Sequence, residues 1–162
     1  MQKIYNIYIY SNSKISGTNN NANYFIDWPA VLQEGRYECK FYYMQDYSNI
    51  VLNVDDQSEN QPALLCLNLG CTTNYISNGS TLSNVNIVGF LQWSQFGPDN
   101  IGKGVLSATV YDNNSFYLQH RPTNNVLNLQ IRKLDGTTLW IDSENEPPYD
   151  YCICFTFELL DN

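Results

Sequence analysis

Apolar and polar positions alternate with a period of two along most of the chain, the pattern of strands buried on one face. Lys3–Tyr10 (KIYNIYIY) is dense in β-branched and aromatic residues and ends at a polar cluster, which predicts a strand. Ser11–Asn23 is rich in Asn, Ser and Gly and reads as a loop or flexible arm. Tyr24–Trp28 is a short strand stopped by Pro29, which has no N–H to give to a ladder. Arg36–Asp46 alternates cleanly, with Tyr37, Cys39, Phe41 and Tyr43 on one face and Glu38, Lys40 and Tyr42 on the other. Ala63–Leu69 is almost continuously apolar, as an interior strand would be, and Thr72–Ile76 continues it past Gly70 through a bulge. Asn78-Gly79 marks a tight turn before Val85–Trp93, a strand interrupted at Gly89. Val105–Tyr111 and Ser115–Gln119 are short strands around Asp112-Asn113-Asn114. Val126–Leu134 and Thr137–Ile141 flank Asp135-Gly136, a hairpin signature, and Tyr151–Leu160 closes the chain with Tyr151, Ile153, Phe155, Phe157 and Leu159 on one face.

No stretch repeats apolar residues at i, i+3, i+4 and i+7, and the best helical candidate, Pro29–Glu34, is one turn. Eight to ten strands without helices define a sandwich or barrel. The long connections favour an eight-stranded antiparallel jelly roll over a meander, because the chain must cross repeatedly between sheets. At 162 residues the expectation is one domain over 1–162, with 1–22 supplying an N-terminal strand and a flexible arm. Such a chain buries enough surface to hold a core without metal or disulfide.

Charge then narrows the function classes. Eight Lys and Arg stand against 16 Asp and Glu, a net charge of −8, which argues against a basic face gripping nucleic acid or anionic lipid. No apolar run has the length of a signal peptide or membrane span, so direct membrane insertion is not expected. The five cysteines, Cys39, Cys66, Cys71, Cys152 and Cys154, are odd in number and lack paired C-x2-C spacing; they read as reduced, core-filling thiols rather than a zinc set.

Catalytic candidates are sparse. The single histidine, His120, has no nucleophile motif near it and reads as a turn residue. Asp142, Glu144, Glu146 and Asp150 cluster beside Pro147-Pro148, but on a loop rather than on the rigid elements that a carboxylate pair requires, and without the ligand order of a calcium loop. The expectation is therefore no enzyme, no catalytic residues, no cofactor and no metal. Two binding readings remain. Trp28, Trp93, Trp140, 13 tyrosines and many asparagines could serve a lectin-like carbohydrate-binding sandwich, although Trp28 and Trp140 lie in strand-like runs and suit the core. Alternatively, the aromatic excess and the 15% charged content suit a protein whose surface is covered by neighbours.

Three segments carry a resemblance. Tyr24–Tyr43 (YFIDWPAVLQEGRYECKFYY), Arg121–Trp140 (RPTNNVLNLQIRKLDGTTLW) and Pro147–Leu159 (PPYDYCICFTFEL), about a third of the chain, are together similar to the single jelly-roll minor capsid and penton proteins of nucleocytoplasmic large DNA viruses and their smaller relatives. The resemblance implies a structural capsid protein assembled in the host cytoplasm. It would be a homo-oligomer, a pentamer at a vertex or another minor shell component, with a double jelly-roll major capsid protein as neighbour. The expected subunit interface is the N-terminal strand with Ile4, Tyr5, Ile7, Tyr8, Ile9 and Tyr10; the alternative is that this strand pairs only within its own sheet.

Overall fold

The computed structural model describes residues 3–45, 63–69, 74–78, 81–95, 104–108, 115–134 and 150–160. In chain order the strands are β1 (Ile4–Tyr10), β2 (Ser16–Thr18), β3 (Asn21–Phe25), β4 (Arg36–Gln45), β5 (Ala63–Leu67), β6 (Asn74–Asn78), β7 (Thr81–Val85), β8 (Ile87–Gln95), β9 (Gly104–Ala108), β10 (Ser115–Leu118), β11 (Val126–Arg132) and β12 (Tyr151–Leu160). The helix among the described residues is α1 (Trp28–Val31), a single turn with Pro29 at its start, where the missing N–H costs nothing.

The pairing is nested. β1 pairs with β12, β3 with β11, β4 with β9 and β10, and β5 with β8, all antiparallel. β12 also joins β4, and β11 joins β5. A long hairpin rolled up on itself gives this order, and it is the jelly roll. One sheet reads β1-β12-β4 and then β9 and β10, which share the far edge of β4; the other reads β8-β5-β11-β3-β2. The layers join along one side because β8 pairs first with β5 and then, from Gln92 onward, with β9. The expected eight strands thus become twelve among the described residues, through the divided β9/β10 position, the added β2 and the separate β6–β7 hairpin.

Side-chain alternation sets the core. Tyr37, Cys39, Phe41 and Tyr43 of β4 and Tyr151, Ile153, Phe155 and Phe157 of β12 point inward and are buried, facing Leu127, Leu129 and Ile131 of β11. All five residues of β5 are buried, as its unbroken apolar run predicts. The Tyr24 hydroxyl meets the Tyr151 hydroxyl at 2.8 Å, tying one sheet to the other, and the Tyr151 hydroxyl also donates to the Asn19 carbonyl. Trp28 plugs the open end between β3 and β4: its ring meets Phe157 edge-to-face at 5.9 Å and its Nε1–H donates to the Asn124 carbonyl.

The Ser11–Asn23 stretch differs from the expected loop or arm. It holds a 3-10 turn at Ser11–Ser13 and then the β2–β3 hairpin, in which Thr18 faces Asn21 across Asn19-Asn20. A polar hairpin carries no apolar alternation, so composition concealed it. The strand expected at Tyr24–Trp28 starts earlier, at Asn21, and ends at Phe25, because Trp28 already belongs to α1. The Asp135-Gly136 hairpin lies outside the described residues.

Burial also sets an alkaline limit. The Tyr37 hydroxyl donates to the Gln33 carbonyl, and burial pushes its pKa up to about 12. An unfolded tyrosine ionises near pH 10, so the unfolded chain releases this proton first. The stabilisation is complete below pH ~10 and is lost as pH rises towards ~12. Urea midpoints should therefore fall between pH 9.5 and pH 11.5, and less steeply in Tyr37→Phe; parallel curves would contradict the assignment.

Candidate functional site

The predicted interface strand sits at the edge of its sheet. β12 pairs with every residue of β1 on one side, and no strand among the described residues covers the other. The pleat divides the predicted residues. Ile4, Tyr8 and Tyr10 point outward and are 57%, 60% and 54% exposed. Tyr5 and Ile7 are half-buried against the core, and Ile9 is buried within it. In-sheet pairing and an open edge therefore coexist in the same strand.

The outward residues continue across the sheet in registered rows. Tyr10 lies beside Cys152, Met44 and Ser107; Tyr8 lies beside Cys154 and Tyr42. Asn6 lies beside Thr156 and Lys40, and Ile4 beside Glu158 and Glu38. One end of this face is thus aromatic and sulfur-bearing, with Tyr42 and Met44 also exposed, while the other carries the charges, including a Lys40–Glu38 ion pair at 3.6 Å. The Tyr42 hydroxyl donates to Met44 Sδ at 3.6 Å. A hydrogen bond with Cys154 raises the Tyr8 phenol above its usual range.

β1 and β2, the end strands of the ten-stranded order, differ in protection. β2 is three residues long and contains Gly17 at φ +90°, where a Cβ would collide with the Asn21 carbonyl oxygen. Short, irregular edges of this kind discourage strand addition. β1 runs seven residues in unbroken register with no proline and no bulge. The charged residue that precedes it, Lys3, donates from Nζ to Gln33 Oε1 at 2.7 Å.

The opposite sheet presents a polar outer face. Asn21, Asn23 and Phe25 project outward from β3, and Asn128, Gln130 and Arg132 project from β11 beside them. Asn128 Nδ2 donates to Asn21 Oδ1 at 3.1 Å and to Asn23 Oδ1 at 2.9 Å, while its Oδ1 accepts from Gln130 Nε2 at 2.7 Å. Arg132 Nε donates to Gln130 Oε1 at 2.8 Å, and Asn23 Nδ2 to Ser16 Oγ at 2.9 Å. Asn68 extends β5 by side-chain mimicry of a strand, donating to the Val126 carbonyl and accepting from the Asn128 N–H. A depression of about 170 Å³ adjoins the strip, lined by Asn68, Asn86, Gln130 and Cys66 among others. The polar alternation of VLNLQIR was the visible signal for this half of the strip. Asn21 and Asn23 were hidden in the presumed arm.

His120 lines a cleft of about 310 Å³ with Asn68, Gln119, Arg121 and Thr123; among the described residues its wall holds no carboxylate, cysteine or serine. Arg121 is committed elsewhere, to Glu34 at 3.1 Å and to the Leu32 carbonyl. Asp150 accepts from Ser11 Oγ at 2.7 Å, and Ser11 Oγ accepts from the Tyr151 N–H, so this carboxylate pins the start of β12. Asp142, Glu144 and Glu146 lie outside the described residues, as do Trp140 and the side chain of Trp93. Among the described residues no three His, Cys, Asp or Glu side chains converge, and no helix is long and apolar enough to cross a membrane.

Cys39, Cys66, Cys152 and Cys154 form no disulfide with one another; Cys71 lies outside the described residues. Burial pushes the Cys66 thiol up to about 11, partly offset by the Arg132 charge, and raises Cys152 more modestly. The thiolate is the reactive form, so reactivity follows access and pKa together. Iodoacetamide at pH 8 should label the part-exposed Cys152 and Cys154 and leave buried Cys39 and Cys66 intact until urea is added, as read by peptide mass mapping. Prompt labelling of Cys39 would contradict the packing.

What the fold and surfaces of the described residues define is a jelly-roll sandwich whose apolar end strand β1 is open on one side and whose opposite sheet has an amide-rich face. No protein-family model matches the sequence, and no curated protein shows significant similarity to it.

Proposed function

We propose that the protein is a structural subunit of a viral shell, a penton or other minor capsid component, that assembles through β1 and the sheet face beside it. The observation that carries this reading is the unguarded edge: seven residues of regular strand whose outward Ile4, Tyr8 and Tyr10 are each more than half exposed. An isolated protein ordinarily blunts such an edge with charge, proline or a bulge, because it invites strand addition. A subunit whose neighbour covers the edge has no such need. The resemblance read from Tyr24–Tyr43, Arg121–Trp140 and Pro147–Leu159 implies a single jelly roll, and the strand pairing is of that class.

Five-fold closure requires a heterologous contact, in which β1 meets a different surface of the next copy. Pairing of β1 with another β1 would be isologous and would stop at a dimer. Sister copies and a double jelly-roll major capsid protein are the proposed partners, met in the host cytoplasm during virion assembly. Native mass spectrometry and negative-stain imaging of the full chain, alone and with that shell partner, test the reading. Five-fold rings or incorporation into shells are expected. A monomer that ignores the shell partner, with β1 amides exchanging freely on their open side, would sink it.

A further inference from the structure

We infer that the outer face of the β3–β11 pair is a binding site for uncharged oligosaccharide, built from Asn21, Asn23, Asn128 and Gln130 with Phe25 as its stacking platform. Exposed carboxamides ordinarily bond to water and sample many rotamers. Here Asn128 spends both Nδ2 hydrogens and its Oδ1 on neighbouring amides, and Gln130 Oε1 is held by Arg132, so each amide plane has one consistent orientation. Ordering side chains before a ligand arrives removes part of the entropic cost of binding it. Asn21 is exposed at the end of the relay, and its Nδ2 hydrogens have no protein partner among the described residues.

The chemistry fits vicinal hydroxyls. With these bonds made, the Asn21 Nδ2 hydrogens, the second Gln130 Nε2 hydrogen and the second lone pairs of the carboxamide oxygens remain to meet sugar hydroxyls, which both donate and accept, whereas anionic ligands favour guanidinium or ammonium groups. The one cation in the strip, Arg132, is already turned onto Gln130. Phe25 projects from the same face and is 61% exposed, offering an aromatic surface for the apolar face of a pyranose. Asn21, Asn23 and Phe25 alternate along β3, so successive side chains stand about 7 Å apart at a rise of ~3.4 Å per residue, the scale of one sugar ring. A protein partner would want apolar residues at the centre of its contact, where this face has amides. The site lies on the sheet opposite β1, so it stands or falls independently of the shell reading.

The test is an array of immobilised cellotetraose, chitotetraose, mannotetraose and lacto-N-neotetraose, with sialylated lactosamine as the anionic control, probed with the full chain. At least one neutral glycan should retain the protein, and Phe25→Ala and Asn128→Asp should each weaken retention at least tenfold. Asn128→Asp keeps the side-chain shape and its acceptor while removing the two donated hydrogens. Phe25 is solvent-exposed, so its truncation reads binding without threatening the fold. Retention by none of the neutral glycans, retention confined to the sialylated control, or undiminished retention of both variants would overturn the assignment.

Discussion

Trp28→Ala should remove roughly 3–5 kcal/mol of stability, the cost of truncating a large buried aromatic. Trp28 is fully buried at the start of α1 and packs on Phe157, which in turn meets Tyr37 edge-to-face at 6.2 Å. Its indole also satisfies the Asn124 carbonyl, just before β11, so truncation leaves an acceptor without its donor, a further ~1 kcal/mol or more. Against a total of about 5–15 kcal/mol for a typical domain, that loss brings the chain close to unfolding. Trp28→Phe keeps the ring contact and loses the hydrogen bond, so its urea midpoint should fall between those of wild type and Trp28→Ala. A Trp28→Ala midpoint equal to wild type would mean that this end of the sandwich is held by something other than the indole.

The second large effect concerns assembly. Tyr8→Glu combined with Tyr10→Lys should leave the fold intact and weaken self-association or shell incorporation by at least 100-fold. Both side chains point to solvent, so the folded monomer loses little. Aromatic residues at the centre of an interface commonly carry about 2 kcal/mol or more each, and two of them account for a change of that size. Sedimentation velocity reads association and thermal melting reads the fold. Unchanged association with an unchanged melt would remove β1 from the interface. Deletion of residues 1–12 is a poorer test, because it also removes buried Ile9 and Ser11 and strips β12 of its neighbour along the whole of β1.

Much of the sandwich was legible as alternation. Inward Tyr37, Cys39, Phe41 and Tyr43 and inward Tyr151, Ile153, Phe155 and Phe157 occupy the faces that a period of two assigns to them. Burial of Trp28 likewise follows from its apolar, strand-like surroundings. The β2–β3 hairpin was not legible, because its asparagines and serines look the same in a hairpin as in a loop. Of the candidate surfaces, β1 was visible as an apolar run, but its composition does not say which half faces the core. The amide strip was invisible as a unit: Asn23 and Asn128 meet across 105 residues of chain.

What the sequence determines by itself is the all-β character, the strand positions and the two-faced pattern of each long strand. These are local properties, set by which side chains can share one face of a pleat. Only the tertiary structure decides that the first strand lies beside the last and the third beside the eleventh, and therefore which edge is left open and which amides converge. Strand pairing depends on the joint burial of faces far apart in the chain, and many pairings satisfy the same alternation. The rolled-up arrangement is the one that closes the aromatic core around Phe41, Phe155 and Phe157 and leaves Tyr8 and Tyr10 outside it.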